Sequence, residues 1–178
     1  MQKQFFSTKE IAMLALMVAT CTVGRLMFQF IPNVQPMTAI FLLITLELGV
    51  LRGLIVNLLS IIITNLFLGM GVWTISQILS FSVIILVAGL FAKVAIFKRR
   101  LWLQILYSVF AGYFFGFVIS IIDTKVYGLT NLWAYYLAGL PFDTAHAMGN
   151  GAFYLILAPV FKRLFKNYRS EAKRNDSF

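Results

Sequence analysis

The sequence predicts an all-α integral membrane protein, a bundle of six transmembrane helices. Three observations predict it. The chain has 178 residues, of which 61% are hydrophobic and only 12% charged, where a soluble domain of this size is about half apolar and a quarter charged. The apolar residues fall in long runs near the ~20 residues that carry an α-helix across a bilayer core. The basic residues gather between and beyond those runs rather than on one face of any of them. The +9 net charge therefore reads as membrane orientation and not as a nucleic-acid surface. Cys21 is the single cysteine, so no disulfide forms within the chain.

Six segments qualify, at about 9–31, 37–51, 53–68, 73–95, 101–122 and 144–164, with a basic tail over 165–178, and the whole chain, 1–178, reads as one membrane domain. In the first, Ser7 and Glu10 have capping-box spacing. The apolar stretch that follows is too long for the apolar core of a signal peptide, so it reads as a retained helix. The second and third are divided at Arg52 and Gly53, because one unbroken helix would leave Arg52 at mid-bilayer at a cost of several kcal/mol. Glu47, five residues earlier, suits an ion pair at the same end. In the third, Asn57, Thr64 and Asn65 suit hydrogen bonds between helices. The fourth opens with Trp73, Thr74 and Gln77 after the glycines of LGMG.

Of fifteen Lys and Arg residues, thirteen fall at one end of this scheme: Lys3, Lys9, Arg52, Lys93, Lys98, Arg99, Arg100, Lys162, Arg163, Lys166, Arg169, Lys173 and Arg174. Only Arg25 and Lys125 fall at the other. The positive-inside rule then puts both termini in the cytoplasm, in a multi-pass protein of a prokaryotic plasma membrane. Outside remain IPNVQP, GMGVWTISQ and the long stretch 123–143, all poor in charge and rich in amides and aromatics. Recognition is expected there.

The sharpest polar constellation is Asp143, His146 and Asn150. Offsets of three and seven place them on one helix face, and ionisable groups at membrane depth usually mark a binding site or pathway. A helix cap at Asp143 with an interfacial histidine is the alternative. One histidine and one aspartate fall short of a metal ligand set, and no nucleophile stands at a spacing that would make the pair catalytic. Asn33 and Gln35, held between Pro32 and Pro36 on an extended loop, suit a neutral hydrogen-bonding ligand. Trp73 and Gln77 share one side of a first helical turn. They join Tyr127 and Trp133 as candidate ligand contacts, although Trp73 serves equally well in an interfacial belt, and Trp133, Tyr135 and Tyr136 are more often membrane anchors than ligand contacts. Arg25 is expected to find its counter-charge in Asp123 or Asp143. Ala12, Ala15 and Ala19 form a small-residue stripe, the pattern that lets a second helix approach closely, whether from a partner or from within the bundle.

Three stretches, PNVQPMTAI (Pro32 to Ile40), FLGMGVWTISQ (Phe67 to Gln77) and FDTAHAMGN (Phe142 to Asn150), together with the alanine stripe and six short helices, resemble the substrate-binding S component of an energy-coupling factor vitamin transporter. The resemblance covers residues 9 to 165 and is nearest to the cobalamin-specific subgroup. It implies a non-enzymatic subunit that captures a vitamin from outside and then docks on a transmembrane scaffold subunit driven by two cytoplasmic ATPases. Ala15 and Ala19 would face that scaffold. ATP would be bound only by the partner subunits, in keeping with the absence here of a GxxxxGK[ST] phosphate loop. Riboflavin, folate or pantothenate are alternative ligands. A small membrane enzyme using Asp143 and His146, and a stand-alone permease, are alternative functions.

Overall fold

The computed structural model describes residues 6–175, with side chains up to residue 170. Lys3, residues 176–178 and the side chains of Lys173 and Arg174 lie outside that description. Among the described residues the chain is all helical: α1 (Thr8–Met27), α2 (Met37–Leu48), α3 (Val50–Leu68), α4 (Trp73–Phe91), α5 (Ala95–Arg99), α6 (Leu101–Val126) and α7 (Leu132–Asn175). Four of them, α1, α3, α4 and α6, are long and apolar enough to cross a membrane. These helices are compatible with a multi-pass membrane protein.

With α2 counted, successive helices α1, α2, α3 and α4 alternate in direction, so that α1 and α3 run parallel, and side-chain bonds show which ends meet. At the basic end Arg52 Nε pairs with Glu10 Oε1 at 2.5 Å, and Arg169 Nη2 with Glu47 Oε2 at 2.7 Å. There too Gln104 Oε1 accepts from Lys162 Nζ at 2.9 Å and from the Tyr154 hydroxyl at 3.1 Å. At the opposite end Arg25 Nη1 donates to Thr64 Oγ1 at 2.7 Å. Glu47 is therefore ion-paired, with Arg169 rather than with Arg52. Half of the capping box forms, since Ser7 Oγ accepts the Glu10 amide at 3.2 Å while the Glu10 carboxylate turns to Arg52.

The division between the second and third segments lies at Gly49, not at Arg52 and Gly53. Gly49 has φ 99° and ψ 164°, a backbone state essentially reserved to glycine, so the chain breaks there. Arg52 then sits in the first turn of α3 and reaches Glu10 across the bundle.

Helix α2 has 12 residues, and every one from Met37 to Thr45 is buried. At 1.5 Å per residue it is about 18 Å long, short of a ~30 Å hydrocarbon core. It packs against α1, α3, α4, α6 and α7, so it forms the axis of the bundle. A helix apolar on every side is what such a position requires.

The expected 123–143 loop is mostly helix. α6 continues to Val126, Gly128 turns the chain with φ 66°, and α7 starts at Leu132, running through Pro141 and Pro159. The expected sixth span, 144–164, lies inside this 44-residue helix. Asn131 caps its start, its side-chain oxygen accepting the Ala134 amide at 3.0 Å. The fourth span ends at Phe91 rather than near 95, and a separate short helix, α5, carries the basic Lys98 and Arg99. The IPNVQP loop is not extended. The Ile31 amide bonds the Phe28 carbonyl and the Val34 amide the Ile31 carbonyl, and Asn33 takes φ 58°, a left-handed state that asparagine tolerates better than most residues.

Candidate functional site

At the end opposite the basic residues a cavity opens among α1, the IPNVQP loop, α4, α6 and α7. It has two lobes that share Asn33, Gln77 and Phe115. The first, about 300 Å³, adds Arg25, Gln29 and Gln35 over the ring of Phe81. The second, about 370 Å³, adds Ser120, Asp123, Tyr135, Phe142 and Asp143. Each lobe alone is at the lower end of the range that holds a drug-sized ligand.

The polar lining is fixed from behind. Asn65 Nδ2 donates to Gln77 Oε1 and to Thr74 Oγ1, both at 2.9 Å, which leaves the Gln77 amide nitrogen uncommitted. Asn57 Nδ2 ties α3 to α4 through the Ile78 carbonyl and Ser82 Oγ, both at 3.1 Å. Thr64 receives Arg25, so the three α3 residues read as cross-helix partners make those bonds. Arg25 does not meet Asp123 or Asp143: it lines the first lobe and the two carboxylates line the second. The Tyr135 hydroxyl lies 3.4 Å from Asp123 Oδ2. Burial first, and then the adjacent Asp123 charge, raise the Tyr135 phenol above its ordinary range, so it stays a donor to that carboxylate.

Asp143, His146 and Asn150 share a buried face of α7, but at three depths. Asp143 lines the second lobe. His146 is 1% exposed and sits under the floor, its ring centroid 5.2 Å from that of Phe115 and 6.3 Å from that of Phe81. Its Nε2 lies 2.9 Å from Thr38 Oγ1 on α2. Asn150 lies deeper, fully buried, with neither side-chain polar atom partnered, while its carbonyl accepts from Ser108 Oγ at 3.1 Å.

Of the other sequence-based candidates, Asn33, Gln35 and Gln77 line the cavity. Trp73, Tyr127 and Trp133 do not. Trp73 is exposed and folded against Gly71, Tyr127 is exposed at the end of α6, and Trp133 stacks at a tilt with Phe117, centroids 6.3 Å apart. Sequence reasoning missed Phe81 and Phe115, whose rings, 4.4 Å apart, make the floor. They sit in unbroken apolar runs, where nothing local separates a floor residue from a lipid-facing one. Ser120 and Asp123 carried a signal, because each follows Gly116 at helical spacing on the face turned to α7.

A second feature lies apart from this cavity. Ala12, Ala15 and Ala19 are exposed on α1, and Ala15 and Ala19 line a shallow apolar groove of about 430 Å³ with Leu59 and Ile63 of α3. The stripe does not pack within the bundle. Compared with protein-family models, with curated proteins and with solved structures, the chain matches none.

Proposed function

We propose that the chain is the substrate-capture subunit of an energy-coupling factor importer, taking a vitamin from outside and passing it inward after docking on a membrane scaffold subunit powered by two ATPases. The observation that carries this is the separation of two surfaces: a polar cavity over an aromatic floor at one end, and an exposed small-residue groove on the flank of α1. Capture and docking need different faces, and the chain offers both. In this reading α2 and the middle of α7 complete six passes, and the basic end faces the cytoplasm of a prokaryotic cell.

Cobalamin is the first vitamin to test, since the shared rim of the cavity is made of amides and rings; riboflavin, folate and pantothenate complete the panel. Calorimetry of the purified chain against these four is the experiment. Binding of one at micromolar Kd or tighter, with none of the others comparable, is the expected result, and failure of all four and of a cationic ligand to bind sinks the reading. The enzyme alternative has less support, because it needs Asp143 and His146 at one substrate and the His146 ring lies behind Phe115.

A further inference from the structure

The cavity is electrically lopsided. Arg25 and the amides of Gln29 and Gln35 belong to the first lobe, whereas the second lobe holds Asp123 and Asp143. These two carboxylates are 7% and 5% exposed, and Asp123 Oδ1 and Asp143 Oδ2 have no hydrogen-bond partner. Neither forms an ion pair among the described residues. A carboxylate taken from water is costly to hold unless a cation or a donor meets it. The chain nevertheless builds a seat for one of them: a Cβ at Gly116 would overlap the Asp143 carboxylate, so α6 presents bare backbone where the charge is stored.

The cation that fits is organic rather than metallic. Among the described residues no group of three His, Cys, Asp or Glu side chains converges, whereas a hard metal ion takes six or more oxygen ligands. The walls beside the carboxylates are the rings of Phe115, Tyr135 and Phe142, and aromatic faces attract organic cations that shed their water. Planar N–H donors also match carboxylate geometry.

The geometry points to the second lobe as a subsite for an organic cation, an amidinium, guanidinium or ammonium group on the captured molecule, held by Asp123 and Asp143 against the ring of Phe115. This rests on the capture reading of the cavity but not on its four named vitamins, since cobalamin, riboflavin, folate and pantothenate carry no such cation at neutral pH; it assigns a cationic cargo to the same cavity. The Arg25 lobe then takes the acceptor-rich end, which makes the ligand amphoteric.

Three probes of matched shape test it: benzamidine, benzamide and benzoate, titrated by calorimetry into the full chain in nanodiscs. Benzamidine is expected to bind at least tenfold more tightly than benzamide, with benzoate weakest. Asp143→Asn and Asp123→Asn should each weaken benzamidine by about ten- to 100-fold, the range for a charge-assisted hydrogen bond, and leave benzamide within about threefold. Gly116→Ala, which displaces the carboxylate but keeps its charge, should weaken benzamidine as Asp143→Asn does. Absence of benzamidine binding to the unaltered chain, equal affinity for the three probes, or unchanged benzamidine affinity in both Asn variants overturns the subsite. The probe ranking on the unaltered chain needs no variant to fold. A vitamin that binds, and is weakened by Gln35→Ala, while benzamidine does not bind, removes the cation subsite and leaves the capture reading standing.

Discussion

Gln77 and His146 lie one layer apart, on either side of the aromatic floor, and their replacement should read out differently. Gln77→Ala removes an amide from the shared rim of both lobes, while Asn65 keeps Thr74 as an acceptor. The fold should hold, and vitamin affinity should fall by about 1–3 kcal/mol, the cost of leaving a buried polar partner unpaired, or roughly five- to 150-fold in Kd by calorimetry. His146→Ala instead empties a fully buried site between Thr38, Phe81 and Phe115. Thermal unfolding in detergent should show a loss of about 2–4 kcal/mol. A His146→Ala chain as stable as the original but defective in binding would place the imidazole at the ligand. The spacing of Asp143, His146 and Asn150 made their common face legible, because three- and seven-residue offsets are a property of the helix alone. Their different depths were not legible, because depth is set by rings from α4 and α6.

Among the elements, α1 and the joint between α2 and α3 carry the sharpest expectations. Ala15→Trp or Ala19→Trp would fill the groove against Leu59 and Ile63, and since the stripe is exposed and does not line the cavity, vitamin binding to the isolated chain should survive. Uptake by cells carrying the whole transporter should be lost. Equal loss of binding in both variants would show that the groove belongs to the fold rather than to a docking surface. Gly49→Ala should cost about 1–3 kcal/mol in unfolding measurements, because its backbone state is closed to alanine. That joint shows why boundaries were harder to read than elements. The cost of burying Arg52 placed a break nearby, but the break follows the one residue able to take φ 99°, and Arg52 avoids the penalty by pairing with Glu10. The start of α7 was misread for the opposite reason: LWAYYLAGLPFD looks like an aromatic loop ended by a proline, yet the helix runs through Pro141 despite the lost backbone bond and the ring's clash with the preceding turn.

For the whole molecule, the all-helical class was legible because bilayer length acts on the sequence directly. The central place of α2 was not, since a helix buried on every side and one that faces lipid have the same composition. The proposed orientation makes a cysteine at position 128, in a Cys21→Ala background, reactive to an impermeant maleimide from outside the cell. Labelling from the inside only would invert the topology. The axial helix also has a consequence for biosynthesis. Thr38 of α2 meets His146 only after 108 further residues, which at ~5–20 residues per second takes about 5–20 s of translation. Through that interval the nascent chain has made its centre but not α7, which closes it. Thr38 has no histidine, and the α2 flank destined for α7 has only lipid or the insertion machinery beside it. A ribosome stalled before codon 146 therefore leaves α1 to α6 around an α2 whose α7-facing flank is bare, the form on which membrane quality control would act.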